Sequence, residues 1–229
     1  VVEQFDEITP YYDPMIAKVI VHGPSRAVAL NKLTRALQET RAVGSLTNVA
    51  FLEALSRNAH FAAGDVDTGL IEREIATLAR VQKPSAVTLA IGALATLGLL
   101  RQPQGSDPWS TLVGWRAWAE ASQFALLTWR DEQMETEVRT LGAGRYRVVT
   151  AAGQVELAVQ SRAQSQGLAA DRSVRVRLDI DAEILEAVVI DDRRQVSVFV
   201  GGEAVTFGLP DRLSESDDGA AGEDRLIAP

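Results

Sequence analysis

Residues 86–100 form an apolar run with no charged residue on any face: Ala-Val-Thr-Leu-Ala-Ile-Gly-Ala-Leu-Ala-Thr-Leu-Gly-Leu-Leu. A helix that is apolar all round must be buried all round. A membrane span needs about 20 apolar residues, and this run, interrupted by Gly92 and Gly98, is too short. Some other part of the chain must therefore surround a helix over 85–101.

The segment that follows supplies the surround. From residue 122 to 208 the pattern changes to short alternating runs punctuated by turn residues. Strands are predicted near 123–130, 134–141, 144–151, 153–160, 173–180, 183–190, 194–200 and 203–208. The breaks fall at Asp131-Glu132, Gly142 and Gly144, Gly153, Gly167, Asp181, Asp191-Asp192 and Gly201-Gly202. Regular short strands of this kind make an antiparallel barrel or sandwich. The simplest assembly is an eight-stranded barrel closed around the 85–101 helix, which fills the interior and buries the helix. A small-ligand carrier barrel would need that interior empty.

The first part of the chain has a different rhythm. Met15, Ile16, Val19, Ile20 and Val21 suit a buried strand over 15–22, ended by Gly23-Pro24. An amphipathic helix is predicted over 25–43, with Ala27, Leu30, Leu33, Leu37 and Val43 near one face and Gly44 as its stop. Thr47 can cap a second helix over 48–58, with Val49, Leu52 and Leu55 turned inward, and Thr68 or Asp67 a third over 69–80. A strand followed by amphipathic helices describes an α+β lobe.

Charge and composition narrow the function. The net charge is −8 and the pI about 4.9, a poor basis for nucleic-acid binding. Arg172, Arg175 and Arg177 form a local basic cluster that reads as one solvated strand face. There is no cysteine, which excludes disulfides and zinc-thiolate sites. His22 and His60 are the only histidines and both read as structural, so no metal site is expected. Asp13 and Lys18 are five apart on a strand, hence on opposite faces, and cannot work as an acid/base pair. Residues 64–69, Gly-Asp-Val-Asp-Thr-Gly, lack both the lysine of a P-loop and the glycine spacing of a dinucleotide fingerprint, and read as a helix-capping turn. No catalytic triad, nucleophile elbow or paired-carboxylate signature is present, and no catalytic residue is assigned. Trp109 and Trp115, with Arg116, lie on a long loop, and these residue types favour partner contacts. They could equally plug one end of the barrel.

An ordered set of short motifs carries a family resemblance. Tyr12 to Gly23 (Tyr-Asp-Pro-Met-Ile-Ala-Lys-Val-Ile-Val-His-Gly) is followed by Arg26-Ala27, Glu39-Thr40-Arg41, Thr47 to Leu52, Gly64 to Gly69 and Ile71-Glu72. In order and spacing this set resembles the last subdomain of a biotin carboxylase, over residues 1–78. The rest, an apolar helix, a Trp-rich loop, eight short strands and an acidic linker ending in Leu226-Ile227-Ala228-Pro229, is similar to the α subunit of acyl-CoA carboxylases. Asp107-Pro108-Trp109, Gly114-Trp115-Arg116 and Leu209-Pro210-Asp211 look most like the methylcrotonyl-CoA carboxylase type, with propionyl- and acetyl-CoA carboxylases left open.

The resemblance implies the C-terminal part of a biotin carboxylase domain at 1–80, a domain at 84–210 that mediates contact between the biotin carboxylase and the carboxyltransferase, and an acidic linker at 211–229. The linker leads toward a biotinyl carrier domain of the same protein. It implies a parent ligase using biotin, ATP and magnesium, with a β (carboxyltransferase) subunit as partner and no nucleic acid or membrane. Thr68 and Gly69 would line the edge of the adenine pocket; Trp109, Trp115 and Arg116 would meet the β subunit. The family's lid, metal-binding glutamates, basic residues and biotin-accepting lysine belong to other segments, so the chain is expected to be a fragment that binds no cofactor and is inactive alone. The expected setting is the bacterial cytoplasm or the mitochondrial matrix. A stand-alone adaptor module without enzymatic activity is the competing reading. The span from Ser214 to Arg225 is small, acidic and polar, the composition of a mobile linker.

Overall fold

The computed structural model describes residue 11, residues 15–101, residue 116 and residues 120–142, 144–164, 173–192 and 194–210. The chain divides into two compact units, Val1–Gln82 and Lys83–Pro229.

The described part of the first unit is helical. Helix α1 spans Arg26–Glu39, α2 Val49–Arg57, α3 Ala59–Ala63 and α4 Leu70–Leu78. Ser25 starts α1, its Oγ accepting from Val28 N at 3.4 Å. Leu37 is buried and faces α2. Thr34 and Ser56 share a 2.7 Å hydroxyl–hydroxyl hydrogen bond between the two helices, and Gln38 Nε2 donates to Glu53 Oε1 at 3.0 Å.

Three local expectations are corrected here. Residues 15–22 run without a strand partner among the described residues. A strand is held by hydrogen bonds to a neighbour, and without one Met15 and Ile20 stay 57% and 82% exposed. Helix α1 stops at Glu39 rather than at Gly44, because Thr40 turns extended and its N–H reaches Leu37 O. The second helix is entered through Asn48 rather than Thr47. Helix α2 ends as expected at Arg57, and Asn58 then takes an extended conformation and caps the unforeseen short helix α3 by accepting from Phe61 N at 3.1 Å.

The second unit is the expected barrel. Its strands are β1 Ala121–Trp129, β2 Glu132–Gly142, β3 Arg145–Thr150, β4 Gly153–Gln164, β5 Ser173–Ile180, β6 Glu183–Asp191, β7 Gln195–Val200 and β8 Glu203–Gly208. Each pairs antiparallel with the next, and β8 returns to β1 through Thr128 and Gly208, so the sheet closes. Register shifts near Leu141 and Gln160 bend β2 and β4 as closure demands. Hairpins β5–β6 and β7–β8 turn through two residues with positive φ, Asp181-Ala182 and Gly201-Gly202, a geometry matched to strand twist.

Helix α5, Ala86–Thr96, lies inside the barrel and touches β1, β2, β3, β4, β6, β7 and β8. Thr88 to Ala95 are buried without interruption, so every face of the helix is covered. The helix is shorter than the predicted 85–101. Leu97 is its C-cap, and Gly98 at φ +72° turns the chain while Leu99 and Leu100 remain in the core. The inward side chains alternate along each strand. Leu127, Val138, Val148, Val176, Val198 and Phe207 are fully buried around α5. At about 1.5–3 kcal/mol per large apolar side chain, this core is the main source of the unit's stability.

Candidate functional site

The turn between α3 and α4 holds the predicted adenine-pocket residues. Gly64 takes a left-handed conformation, φ +84°, and ends α3. Asp65 N then donates to His60 O at 3.0 Å, closing the helix end. Arg26 reinforces this end: its guanidinium donates to Ala62 O at 3.2 Å and to Phe61 O, and lies over the Phe61 ring. His60 is in α3, where Nδ1 lies 3.3 Å from Asp65 Oδ2.

Asp67 organises the start of α4. Its Oδ1 accepts from Gly69 N at 2.9 Å, and Arg73 Nη1 donates to both carboxylate oxygens at 3.0 and 3.1 Å. The Arg73 hydrogen bond holds this carboxyl below its ordinary value of 3.8. Of the two proposed caps it is therefore Asp67 that bonds the helix entry. Gly69 occupies the N-cap position and Thr68 stands exposed beside it. Gly69 has little room for a side chain, since a Cβ there would lie 3.0 Å from Arg73 Nη1. The turn is thus held rigid by its own residues, and the Thr68–Gly69 edge is presented to solvent.

The same unit carries an apolar groove of about 760 Å³. Met15, Ile16 and Val19 form one wall, and Leu37, Leu52 and Leu55 the other. No alternation in the sequence announced it, because it results from the 15–22 segment lying along α1 and α2 without a sheet.

In the barrel unit, Arg116 is exposed and outside regular structure. Trp109 and Trp115 lie outside the described residues. Sequence reasoning also missed the clamp at the helix entry. Ser85 Oγ accepts from Thr88 N at 3.2 Å, and both hydroxyls converge on Glu203 Oε2, Ser85 at 3.1 Å and Thr88 at 2.5 Å. A Ser-x-x-Thr spacing at 85–88 was the visible half of this signal; the carboxylate comes from β8. Among the described residues no group of three potential ligands could hold a metal ion, and no helix is long and apolar enough to cross a membrane.

Comparison with known proteins identifies the first unit. The family model described as the biotin carboxylase C-terminal domain matches residues 1–73. The matched residues include the Asp67–Arg73 turn and the apolar groove. The chain is 35% identical over 149 residues to methylcrotonoyl-CoA carboxylase subunit alpha, mitochondrial, of Dictyostelium discoideum, covering 62% of this chain and 21% of that protein. It is 39% identical over 97 residues to the protein of that name from Rattus norvegicus, 41% of this chain and 14% of the relative. Human mitochondrial pyruvate carboxylase is 46% identical over 65 residues, 28% of this chain and 6% of its own length. The chain thus spans about a fifth or less of these relatives. The Dictyostelium match is longer than the first unit, so it includes residues of the barrel unit.

Proposed function

We propose that this chain carries the final lobe of a biotin carboxylase together with the barrel that holds the α subunit of an acyl-CoA carboxylase to its β subunit. Residues 1–80 form the lobe, 84–210 the docking domain, and 211–229 an acidic linker toward a biotinyl carrier domain. The parent protein, in the bacterial cytoplasm or the mitochondrial matrix, consumes ATP with magnesium and bicarbonate to carboxylate biotin. The carboxyl group then passes to an acyl-CoA on the β subunit, for which 3-methylcrotonyl-CoA is the proposed acceptor. Thr68 and Gly69 border the adenine pocket, and Trp109, Trp115 and Arg116 meet the β subunit. The catalytic groups lie in other segments of the parent, so residues 1–229 alone do not turn over ATP.

One observation carries this reading: similarity to a methylcrotonoyl-CoA carboxylase α subunit is longer than the first unit and so reaches the barrel unit, whose interior is filled by its own helix. A filled barrel has no cavity for a small ligand, and that favours a role for its outer surface.

The test uses the full-length parent protein with its carboxyltransferase subunit. ATP-dependent fixation of labelled bicarbonate into 3-methylcrotonyl-CoA should exceed fixation into propionyl-CoA or acetyl-CoA. A preference for either of the latter reassigns the acceptor. Absence of biotin-dependent turnover with every acyl-CoA overturns the carboxylase reading in favour of a non-enzymatic adaptor.

A further inference from the structure

The barrel is electrically polarised along its axis. At the hairpin end, where α5 begins, the turns and strand ends carry Asp131, Glu132, Asp179, Asp181, Glu183 and Glu203, against Lys83 and Arg130 among the described residues. At the waist, charges pair across strands, Arg147 with Glu156 at 2.6 Å and Arg177 with Glu186 at 3.9 Å. Beyond the waist, toward the end where α5 finishes, stand Arg101, Arg139, Arg145, Arg162, Arg175 and Arg194, against Glu120, Glu137, Asp191 and Asp192 among the described residues. In a chain of net charge −8 this concentration of arginine is a departure from the average.

The arginines beyond the waist fall into two groups. Arg101 is bound to Asp191 at 2.5 Å, Arg139 to Glu137 at 2.8 Å, and Arg162 donates to Leu99 O at 3.3 Å. These serve the barrel itself. Arg145, Arg175 and Arg194 are exposed and have no ion-pair partner among the described residues. Arg145 opens β3, Arg175 lies on the outer face of β5 and Arg194 precedes β7, so they are spread around the wall. The two ends also differ in construction. Four of the two-residue hairpin connections, β1–β2, β3–β4, β5–β6 and β7–β8, sit at the acidic end. The connections from Arg101 to Ala121 and from Gln164 to Ser173 leave from the arginine end.

We infer that the arginine-bearing half of the barrel is the face that meets the β subunit, and that the partner presents carboxylates there. The inference rests on the docking reading above and adds to it which half docks and the charge of what it docks against. Guanidinium groups left unpaired on a surface are suited to bidentate carboxylate contacts and accelerate association with an oppositely charged face. An extended polyanion fits less well, because it would also be repelled by the acidic half and by the net negative charge.

The experiment compares three forms of the full-length α subunit for association with the purified β subunit across a range of salt concentrations. They are wild type, an Arg145→Glu/Arg175→Glu/Arg194→Glu variant and an Asp131→Lys/Asp181→Lys/Glu183→Lys variant. At low salt the arginine reversal should slow association about tenfold or more and flatten its salt dependence, while the acidic-end reversal associates at least as fast as wild type. An Arg→Gln version of the first variant, with an unchanged melting temperature, guards against misfolding and should show the same trend at smaller size. If wild type binds the β subunit and the reversed arginines change neither rate nor salt slope, this inference fails and the docking reading stands. If wild type does not bind it, both fail. Binding of a single-stranded oligonucleotide that the arginine reversal abolishes, with β-subunit association intact, would assign the patch to a polyanion and overturn the inference.

Discussion

Thr88 Oγ1 donates a 2.5 Å hydrogen bond to Oε2 of Glu203, joining the first turn of the buried helix α5 to the first residue of β8. The residues are 115 apart in sequence. Glu203 also accepts from Ser85 Oγ at 3.1 Å and receives the Ser85 backbone N–H at 3.4 Å. A carboxylate at this position satisfies free donors of the helix N-terminus and complements its dipole. The barrel's plug is thus locked to its wall at one end by a charge-assisted network.

Replacing Glu203 with Ala should cost about 1.5–3 kcal/mol, the range for hydrogen bonds to a charged group. Glu203→Gln, which keeps an acceptor, should cost less. Denaturant unfolding of the barrel is the measurement. Equal stability of wild type and Glu203→Ala would mean that the clamp is redundant.

Gly92 lies on α5 hard against the wall. A Cβ there would lie 3.0 Å from two ring carbons of Phe207 and 3.3 Å from Leu127 Cδ1, and both neighbours are fully buried. Helix propensity alone favours Gly→Ala by about 1 kcal/mol. Overpacking a closed core costs about 1–3 kcal/mol. Packing wins because Phe207 cannot move aside inside a closed barrel, so Gly92→Ala should destabilise. Adding Phe207→Leu should recover part of the loss, seen as a coupling in a double-mutant cycle.

Ala182 holds a positive φ of +67° in the turn between β5 and β6, beside Asp181 at +52°. The left-handed region costs a Cβ-bearing residue about 1–2 kcal/mol. Ala182→Gly should therefore raise stability by about 0.5–1 kcal/mol, the gain being reduced by glycine's greater freedom when unfolded. A lower melting midpoint for this variant would contradict the turn geometry.

The Tyr146 phenol is buried inside the barrel, and burial raises its pKa above the ordinary 10.0, with Arg162 opposing the shift. A raised folded-state pKa means that the native state keeps its proton longer than the unfolded state. The associated stability is complete below pH 10 and is lost as pH rises through the folded-state value. Wild type should thus weaken more steeply than Tyr146→Phe under alkaline conditions. The near-ultraviolet difference between the two proteins should show this tyrosine ionising later than a free phenol.

Much of the barrel was legible from residue order. The turns at Asp181 and at Gly201-Gly202, and the alternation of valines in β5 and β7, marked strands whose predicted ends differ little from those found. The helical unit was less legible. The short helix α3 had no periodic signal, and Asn58 starts it by accepting a hydrogen bond from Phe61 N. Thr68 and Asp67 looked equivalent as caps until Arg73, one turn away, engaged Asp67. The apolar residues 15–22 had strand composition, but a strand exists only when another backbone pairs with it.

By itself the sequence determined that residues 86–100 had to be enclosed, since an uncharged helix has no face to offer water, and that regular short strands were available to enclose them. Its first part also carries motifs in a set order that resemble a biotin carboxylase, and the biotin carboxylase C-terminal domain model matches residues 1–73. Only the tertiary structure decided that Glu203 closes the helix entry, that Gly92 has Phe207 and Leu127 packed against it, and that acids and arginines collect at opposite ends of the barrel. Each of these depends on residues far apart in the chain, and their distances are set by strand register and closure, which local pattern does not encode.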